Sequence, residues 1–161
     1  MAKTPTAWAV LLPIHQLYAN LIYQGTKTAE LRKTVPRFNP DDLNPAKYPI
    51  RVYMYESKTG GGPGMITGFF DCPAFLGIML QSENEHIPQG FVDAAQVSEE
   101  YIRKYANGGW VYGWQIMNPT RLPEPVPLSA LGYAYPPQSW RYLNASACSV
   151  LREVAESGTK P

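Results

Sequence analysis

Three charged side chains stand close together in the sequence, at Lys27, Glu30 and Arg32. A lysine in a half-buried cleft loses hydration, which lowers its pKa, whereas a neighbouring carboxylate raises it. Hydrolysis of an amide or a phosphodiester needs a base that activates water and a cation that stabilises the developing negative charge. We therefore predict Lys27 and Glu30 as catalytic residues and Arg32 as a substrate-binding residue. The alternative is a surface ion-pair network, worth at most about 1 kcal/mol per pair.

A second catalytic carboxylate has four candidates, all distant from this cluster in sequence. Glu56 and Asp71 end two predicted central strands, and Glu99 and Glu100 begin a predicted acidic helix. We select Glu100 as the third catalytic residue. The alternative for each of the four is an ordinary charged residue on the protein surface.

Aromatic side chains could stack on the bases of a nucleic-acid ligand. We select Tyr55, Tyr112 and Trp114 as substrate-binding residues. Tyr112 and Trp114 are two residues apart on a predicted strand, so they project from the same face. In so small a domain most aromatic side chains belong to the hydrophobic core, and that is the alternative for each of the three.

Neither a metal site nor a cofactor is predicted. Glu83, Glu85 and His86 form a local group of metal-ligand residue types, but they lie in a predicted loop. The spacing of Cys and His residues does not match zinc-binding patterns. Cys72 and Cys148 are far apart in sequence and are predicted to be reduced and buried, with a single disulfide as the alternative.

The charged cluster follows a predicted helix and enters a predicted strand. Apolar residues at i, i+3, i+4, i+7 and i+8 predict an amphipathic helix over residues 14–24. Gly25 stands where a left-handed residue would end that helix. Residues 26–34 are predicted to form a strand whose alternation places Glu30 and Arg32 on one face.

The other segments predict an α+β fold built from short strands. Pro- and Gly-rich turns favour a small β-barrel of five or six strands, with flanking short helices and a C-terminal helix. Apolar or alternating runs predict strands over residues 8–13, 50–56, 65–70, 74–80 and 110–117. Loops or turns are predicted over residues 60–64, 81–90 and 118–127, and one helical turn is predicted over residues 128–132. A helix is predicted over residues 98–105, with Ser98 as its N-cap, and the C-terminal helix is predicted to end at about Glu156.

Length and composition favour one domain over residues 1–161. The chain contains 16 Pro, which disfavours an all-helical bundle. Because no apolar run approaches the roughly 20 residues that span a bilayer, and no signal-peptide pattern is present, we expect a cytoplasmic protein without a membrane partner. Net charge is +1, distributed as +4 over residues 1–70, −6 over 71–100 and +3 over 101–161. This distribution could create one basic and one acidic face.

The spacing of Gly25, Lys27, Glu30 and Arg32, directly after a short helix and entering a strand, resembles the signature of ASCH domains. These domains belong to the PUA-like superfamily, whose small β-barrel carries a cleft associated with RNA or nucleotides. The resemblance covers about residues 8–122, including a central strand at 51–57 and a closing strand and turn at 114–122. Residues 137–143 then resemble an extension found in some longer members. A C-terminal helical extension is predicted over about residues 128–156.

The resemblance implies a hydrolase that acts on a nucleic-acid component in the cleft with Lys27, Glu30 and Arg32. The substrate is either a modified nucleoside such as an N4-acylcytidine, cleaved by an amidohydrolase, or RNA, cleaved by a ribonuclease. The alternative is a non-catalytic module that binds a nucleoside, a nucleotide or single-stranded RNA. In the amidohydrolase branch a Thr proposed as nucleophile follows the Lys by three positions. Lys27 matches that Lys, but the Thr position is Glu30 here.

Overall fold

The computed structural model describes residues 9–37 and 49–158, which form eight strands and four helices. The strands are β1 (Ala9–Ile14), β2 (Ala29–Arg32), β3 (Ile50–Glu56), β4 (Met65–Cys72), β5 (Phe75–Met79), β6 (Trp110–Gln115), β7 (Met117–Val126) and β8 (Arg141–Tyr142). The helices are α1 (Gln16–Tyr23), α2 (Gln89–Ala95), α3 (Glu99–Ala106) and α4 (Ala145–Ser157).

Five strands form the larger sheet, in the order β7-β4-β3-β1-β8. β1 and β3 pair in parallel, with Leu12 opposite Met54, and the other pairs are antiparallel. The two central strands are almost fully buried because the sheet is covered on both faces. Such strands are typically continuous apolar runs, as in the Ala9–Leu12 segment of β1.

The smaller sheet has three antiparallel strands in the order β2-β6-β5. β2 is therefore an edge strand, and its register places Glu30 opposite Trp114 and Arg32 opposite Tyr112. Residues directly opposite each other in an antiparallel pair project from the same face. The predicted shared face of Glu30 and Arg32 is confirmed.

Three groups of buried side chains hold these layers together. One lies between the two sheets and α1 and includes Leu12, Met54 and Trp114. A second fills the space between the larger sheet and α4. The third packs α2 and α3 onto the smaller sheet through Leu31 and Phe91. Both ends of the charged segment are thus anchored in cores, which fixes β2 in place.

Helix α1 ends in the way that its sequence predicts. Gly25 has a φ of +82°, the left-handed conformation that favours glycine. The amide of Gly25 donates to the carbonyl oxygen of Ile22 and that of Thr26 donates to Leu21, each over 3.0 Å. These two bonds form a Schellman motif and satisfy carbonyl groups at the helix end. The amide of Lys27 also donates to Leu21, over 3.0 Å, which sets where this lysine leaves the helix.

Several other predictions are confirmed. The α+β class, the flanking short helices, the C-terminal helix and the strand over residues 50–56 are all present. Ser98 caps α3, because its hydroxyl oxygen accepts a hydrogen bond of 3.0 Å from the amide of Tyr101. Cys72 and Cys148 are buried and are not joined in a disulfide. Within the described residues, none of the helices combines the length and the apolar character that crossing a bilayer requires.

Other predictions are wrong in number or position. The described residues contain eight strands rather than five or six. These strands pair as a five-stranded and a three-stranded sheet, and the predicted small β-barrel is not confirmed. Residues 118–126 of the predicted loop belong to strand β7. Its three prolines are tolerated because β7 pairs with β4 alone, and an edge strand leaves half of its amides without a sheet partner.

Several boundaries also differ from the predicted ones. Ile14 belongs to β1, so helix α1 begins only at Gln16. The strand predicted over residues 26–34 is limited to Ala29–Arg32, and helix α2 was not predicted. Trp8, predicted as the first residue of the first strand, lies outside the described residues.

The packing of α1 against β4 can be tested at Gly68. A Cβ at this position would come closer than 3.0 Å to the carbonyl oxygen of Thr120 and to the hydroxyl of Tyr23. We expect Gly68→Ala to lower the free energy of unfolding by about 1–3 kcal/mol, measured by chemical denaturation. Gly90→Ala is the matched control, since no atom lies within 4 Å of its Cβ. This control should be neutral or stabilising by up to about 1 kcal/mol, and equal losses in both variants would contradict the packing described here.

Candidate functional site

A cavity of about 490 Å³ opens beside the edge strand β2. Its walls come from the end of β1, the start of α1, the segment around Lys27–Arg32, helix α3 and residues 136–139. Ligand cavities of several hundred Å³ are typical of sites for small organic molecules. All three charged residues of the sequence motif line this cavity.

Lys27 is almost completely buried, with 2% of its surface exposed. Its Nζ donates to the carbonyl oxygen of Ala95, the last residue of α2, and lies 3.9 Å from Oε2 of Glu30. The same nitrogen lies 5.2 Å from the centre of the Tyr18 ring. Burial lowers the pKa of Lys27 below 10.5; Glu30 opposes this shift and Arg32 adds to it. The ammonium group is therefore a stronger acid than that of a solvent-exposed lysine.

Glu30 is also buried, with 6% of its surface exposed. Its Oε1 accepts a hydrogen bond of 2.5 Å from Nη1 of Arg32. Among the described side chains, its Oε2 is the one buried oxygen or nitrogen atom without a hydrogen-bond partner. A carboxylate oxygen in this state keeps its full capacity to accept a proton or a hydrogen bond. The cavity wall thus contains one fixed and one unsatisfied oxygen on the same carboxylate.

Arg32 is held by protein atoms on several sides. Besides Glu30, its guanidinium donates over 2.7 Å to the carbonyl oxygens of Leu31 and Pro13, and over 3.5 Å to that of Ser139. A guanidinium has five N–H groups, so these contacts leave about one free for a ligand. These contacts orient the guanidinium against Glu30, which gives Arg32 a positioning role. Substrate binding by Arg32, which the sequence suggested, stays a prediction.

Three tyrosines of the cavity wall were missed by the sequence analysis. Tyr18 comes from α1, and Tyr101 and Tyr105 come from α3. Burial raises the pKa of Tyr18 and of Tyr105, and the charge of Glu30 contributes to both shifts. The signal in the sequence was the i, i+4 spacing of Tyr101 and Tyr105 on a helix whose buried positions are Ile102 and Ala106. That spacing puts both tyrosines on one helical face, next to the face that is buried.

The predicted stacking residues lie in the core or outside the cavity wall. Trp114 is fully buried, and its indole N–H donates to the carbonyl oxygen of Thr34 over 3.2 Å. Tyr55 is 7% exposed and packs in the core between the larger sheet and α4. Tyr112 stacks on Trp110 with ring centres 5.8 Å apart. None of these aromatic residues lines the cavity that contains Lys27.

The candidates for a second carboxylate are also remote from the cavity wall. Glu100 is exposed and lines a separate surface groove together with Glu99. Asp71 forms an ion pair of 3.2 Å with Arg51. Glu56 is buried at the end of β3 but does not line the cavity. Among the described residues that line the cavity, Glu30 is the one with a carboxylate side chain.

Across the described part of the chain, no group of three or more His, Cys, Asp or Glu side chains is arranged to hold a metal ion.

The lowered pKa of Lys27 can be measured directly. In an NMR titration of lysine side chains, the Lys27 signal, assigned by its loss in Lys27→Met, is expected to titrate below pH 10.5. Because the unfolded chain keeps this proton up to about 10.5, the contribution of Lys27 to the free energy of unfolding should rise with pH between the lowered pKa and 10.5, measured as the difference between the wild type and Lys27→Met. Lys27→Met should abolish that rise. A Lys27 signal that titrates at or above 10.5 would contradict the burial described here.

The positioning role of Arg32 predicts a large effect of a conservative substitution. In Arg32→Lys a single ammonium group cannot reach all of the acceptors, so buried oxygens lose their partners. We expect the free energy of unfolding to fall by about 1–3 kcal/mol, measured by urea denaturation. Arg121→Lys is the matched control, since Arg121 is exposed and its guanidinium lies 4.0 Å from the centre of the Tyr23 ring. Arg121→Lys should lower the free energy of unfolding by about 1 kcal/mol or less. An equally small decrease in Arg32→Lys would argue against a positioning role of Arg32.

Comparison with solved structures identifies the same architecture in an ASCH protein. The crystal structure of ASCH from Zymomonas mobilis matches with a TM-score of 0.69 and 19% sequence identity, covering 91% of this chain and 94% of that chain. Two mutants of the Z. mobilis protein, one serine-to-alanine and one tyrosine-to-phenylalanine, each match with a TM-score of 0.67 and 17% identity. They cover 92% and 91% of this chain, respectively, and 97% of their own chains. No protein-family model matches the sequence, and no curated protein does. The chain thus has the ASCH fold that the motif around Lys27 indicated.

Proposed function

We propose that this protein is a hydrolase that cleaves the acyl amide of a modified nucleoside such as an N4-acylcytidine. The observation that carries the proposal is the buried Lys27–Glu30–Arg32 cluster in the cavity wall, with one oxygen of Glu30 fixed and the other unsatisfied. A buried ion cluster with an incomplete set of hydrogen bonds is costly for folding, and such sites are often retained for function.

In the proposed reaction, Glu30 is the general base. Its Oε1 stays bound to Arg32, so Oε2 is the oxygen that can accept a proton from water. Oε2 is shielded from solvent, so water reaches it after a side-chain rotation in the cavity wall. As the proton moves to Oε2, the water oxygen bonds to the carbonyl carbon of the acyl group and a tetrahedral oxyanion forms.

Lys27 supplies the positive charge and the second proton transfer. One N–H of its ammonium group donates to Ala95, which leaves two for the oxyanion and the leaving nitrogen. When the C–N bond breaks, Lys27 gives a proton to the departing amine, and the carboxylic acid is released. The proton taken by Glu30 then returns to Lys27 through solvent, which completes the cycle. A lowered pKa favours this role, because it makes the ammonium group a better proton donor.

Two observations favour a neutral amide over a phosphodiester substrate. The contacts of Arg32 with protein atoms leave Lys27 as the main cation directed at a ligand. Phosphoryl transfer usually needs several cations or metal ions around the transferring group, and an amide needs fewer. Glu30 at the position of the family's Thr also favours direct attack by water over an acyl-enzyme intermediate. We expect the protein to act in the cytoplasm. Its expected partners are nucleosides, nucleotides or single-stranded RNA.

The proposal is tested by incubating the protein with N4-acetylcytidine and measuring the release of cytidine. We expect Lys27→Met and Glu30→Gln each to lower kcat at least about 100-fold, the scale of a lost acid or base. Glu124→Gln, a change at an exposed residue of β7, is the control and should keep full activity. The rate should also fall as the pH rises through the lowered pKa of Lys27, since the acid form is then lost.

Intact N4-acetylcytidine after incubation with the wild-type protein would refute the amidohydrolase proposal. Single-stranded RNA is the second substrate to test, with the same variants. Cleavage that depends on Lys27 and Glu30 would indicate a ribonuclease. Tight binding of RNA that is recovered intact would indicate the non-catalytic binding module instead.

A further inference from the structure

Two parallel tyrosine rings form part of the cavity wall on helix α3. The rings of Tyr101 and Tyr105 lie 7° from parallel, with their centres 6.2 Å apart. The amide of Tyr101 donates to the Ser98 side chain, so the start of the helix and the position of this ring are fixed. Ile102 and Ala106 are buried on the adjacent face of the helix. The two tyrosines therefore form an aromatic surface of stacked rings on one helix.

The two rings differ in how firmly they are held. Tyr105 is half-buried, and the Nζ of Lys33 lies 5.3 Å from the centre of its ring. Tyr101 is exposed over 45% of its surface. A large aromatic side chain that stays so exposed beside a cavity gains little from packing inside the protein. The outer ring is the part of this surface that a ligand can still cover.

The aromatic surface is close to the charged groups of the cavity. Tyr101 influences the pKa of Tyr18, and Glu30 and Arg32 influence the pKa of Tyr105. All of these side chains line the same cavity of about 490 Å³ as Lys27. A planar ligand that rests on the tyrosines would thus reach Lys27 and Glu30 with its substituents.

We propose that Tyr101 and Tyr105 are the stacking surface for the base of the substrate, and that Tyr101 makes the site selective for compounds with a planar aromatic base. The inference rests on the proposed function for the identity of the ligand as a nucleoside. Stacking of a base on an aromatic side chain does not depend on which base it is. The pair therefore selects an aromatic ring, while the groups around Lys27 act on its exocyclic amide.

The test is the affinity of the full chain for cytidine, which is not hydrolysed, measured by isothermal titration calorimetry. Tyr101→Ala is expected to weaken binding about 5- to 100-fold, whereas Tyr101→Phe, which keeps the ring, should stay within about twofold of wild type. Tyr135→Ala is the matched control, since Tyr135 is 81% exposed and does not line the cavity. This control should bind cytidine like the wild type. Thermal unfolding of each variant shows whether it is folded.

Three outcomes would overturn the inference. They are wild-type affinity in Tyr101→Ala, an equal loss in Tyr101→Ala and Tyr135→Ala, and no binding of cytidine to the wild type. The result is separable from the proposed function. Cytidine binding that depends on Tyr101 without any hydrolysis of N4-acetylcytidine would refute the hydrolase and keep the stacking surface. Hydrolysis of N4-acetylcytidine with the same KM in the wild type and in Tyr101→Ala would keep the hydrolase and refute the stacking surface.

Discussion

The guanidinium of Arg32 makes the contacts on which the candidate site depends. It reaches the carboxylate of Glu30, the end of β1 at Pro13 and the backbone of Ser139. These groups belong to both sheets and to the segment that precedes β8, so one side chain joins three separate parts of the cavity wall. A planar group with five donors can satisfy such acceptors at once, which a lysine cannot do. As an edge strand, β2 has one side that no other strand of its sheet occupies, which leaves room for this arrangement.

The burial of Lys27 is a consequence of helix α2. The last carbonyl groups of a helix have no partner within it. In α2 the carbonyl oxygen of Ala94 accepts from the amide of Thr28 over 2.9 Å, and that of Ala95 accepts from Nζ of Lys27. A cation is also favoured at the negative end of the helix dipole. Helix α2 thus compensates part of the cost of dehydrating the ammonium group and keeps Lys27 beside Glu30.

The aromatic residues show how burial separates two roles of one residue type. Trp114 and Tyr55 serve the cores and have almost no exposed surface. Tyr18, Tyr101 and Tyr105, in contrast, line the cavity. Tyr18 and Tyr105 also pack against the edges of the cores. Composition and alternation along a strand cannot distinguish these cases. The distinction depends on which face of each element another layer covers.

The sequence by itself determined the local features of this protein. The end of α1 at Gly25, the shared face of Glu30 and Arg32, the cap of α3 at Ser98 and the ASCH motif all depend on residues close together in the chain. Local backbone geometry is enough to produce them. Strand β7 was missed because a proline-rich sequence resembles a loop until its place at a sheet edge is known. The tertiary structure alone decided that Ala95 receives Lys27, that Arg32 is held by distant carbonyl groups, and that Tyr101 and Tyr105 line the cavity. Their partners lie up to 107 residues away, and only packing brings them together.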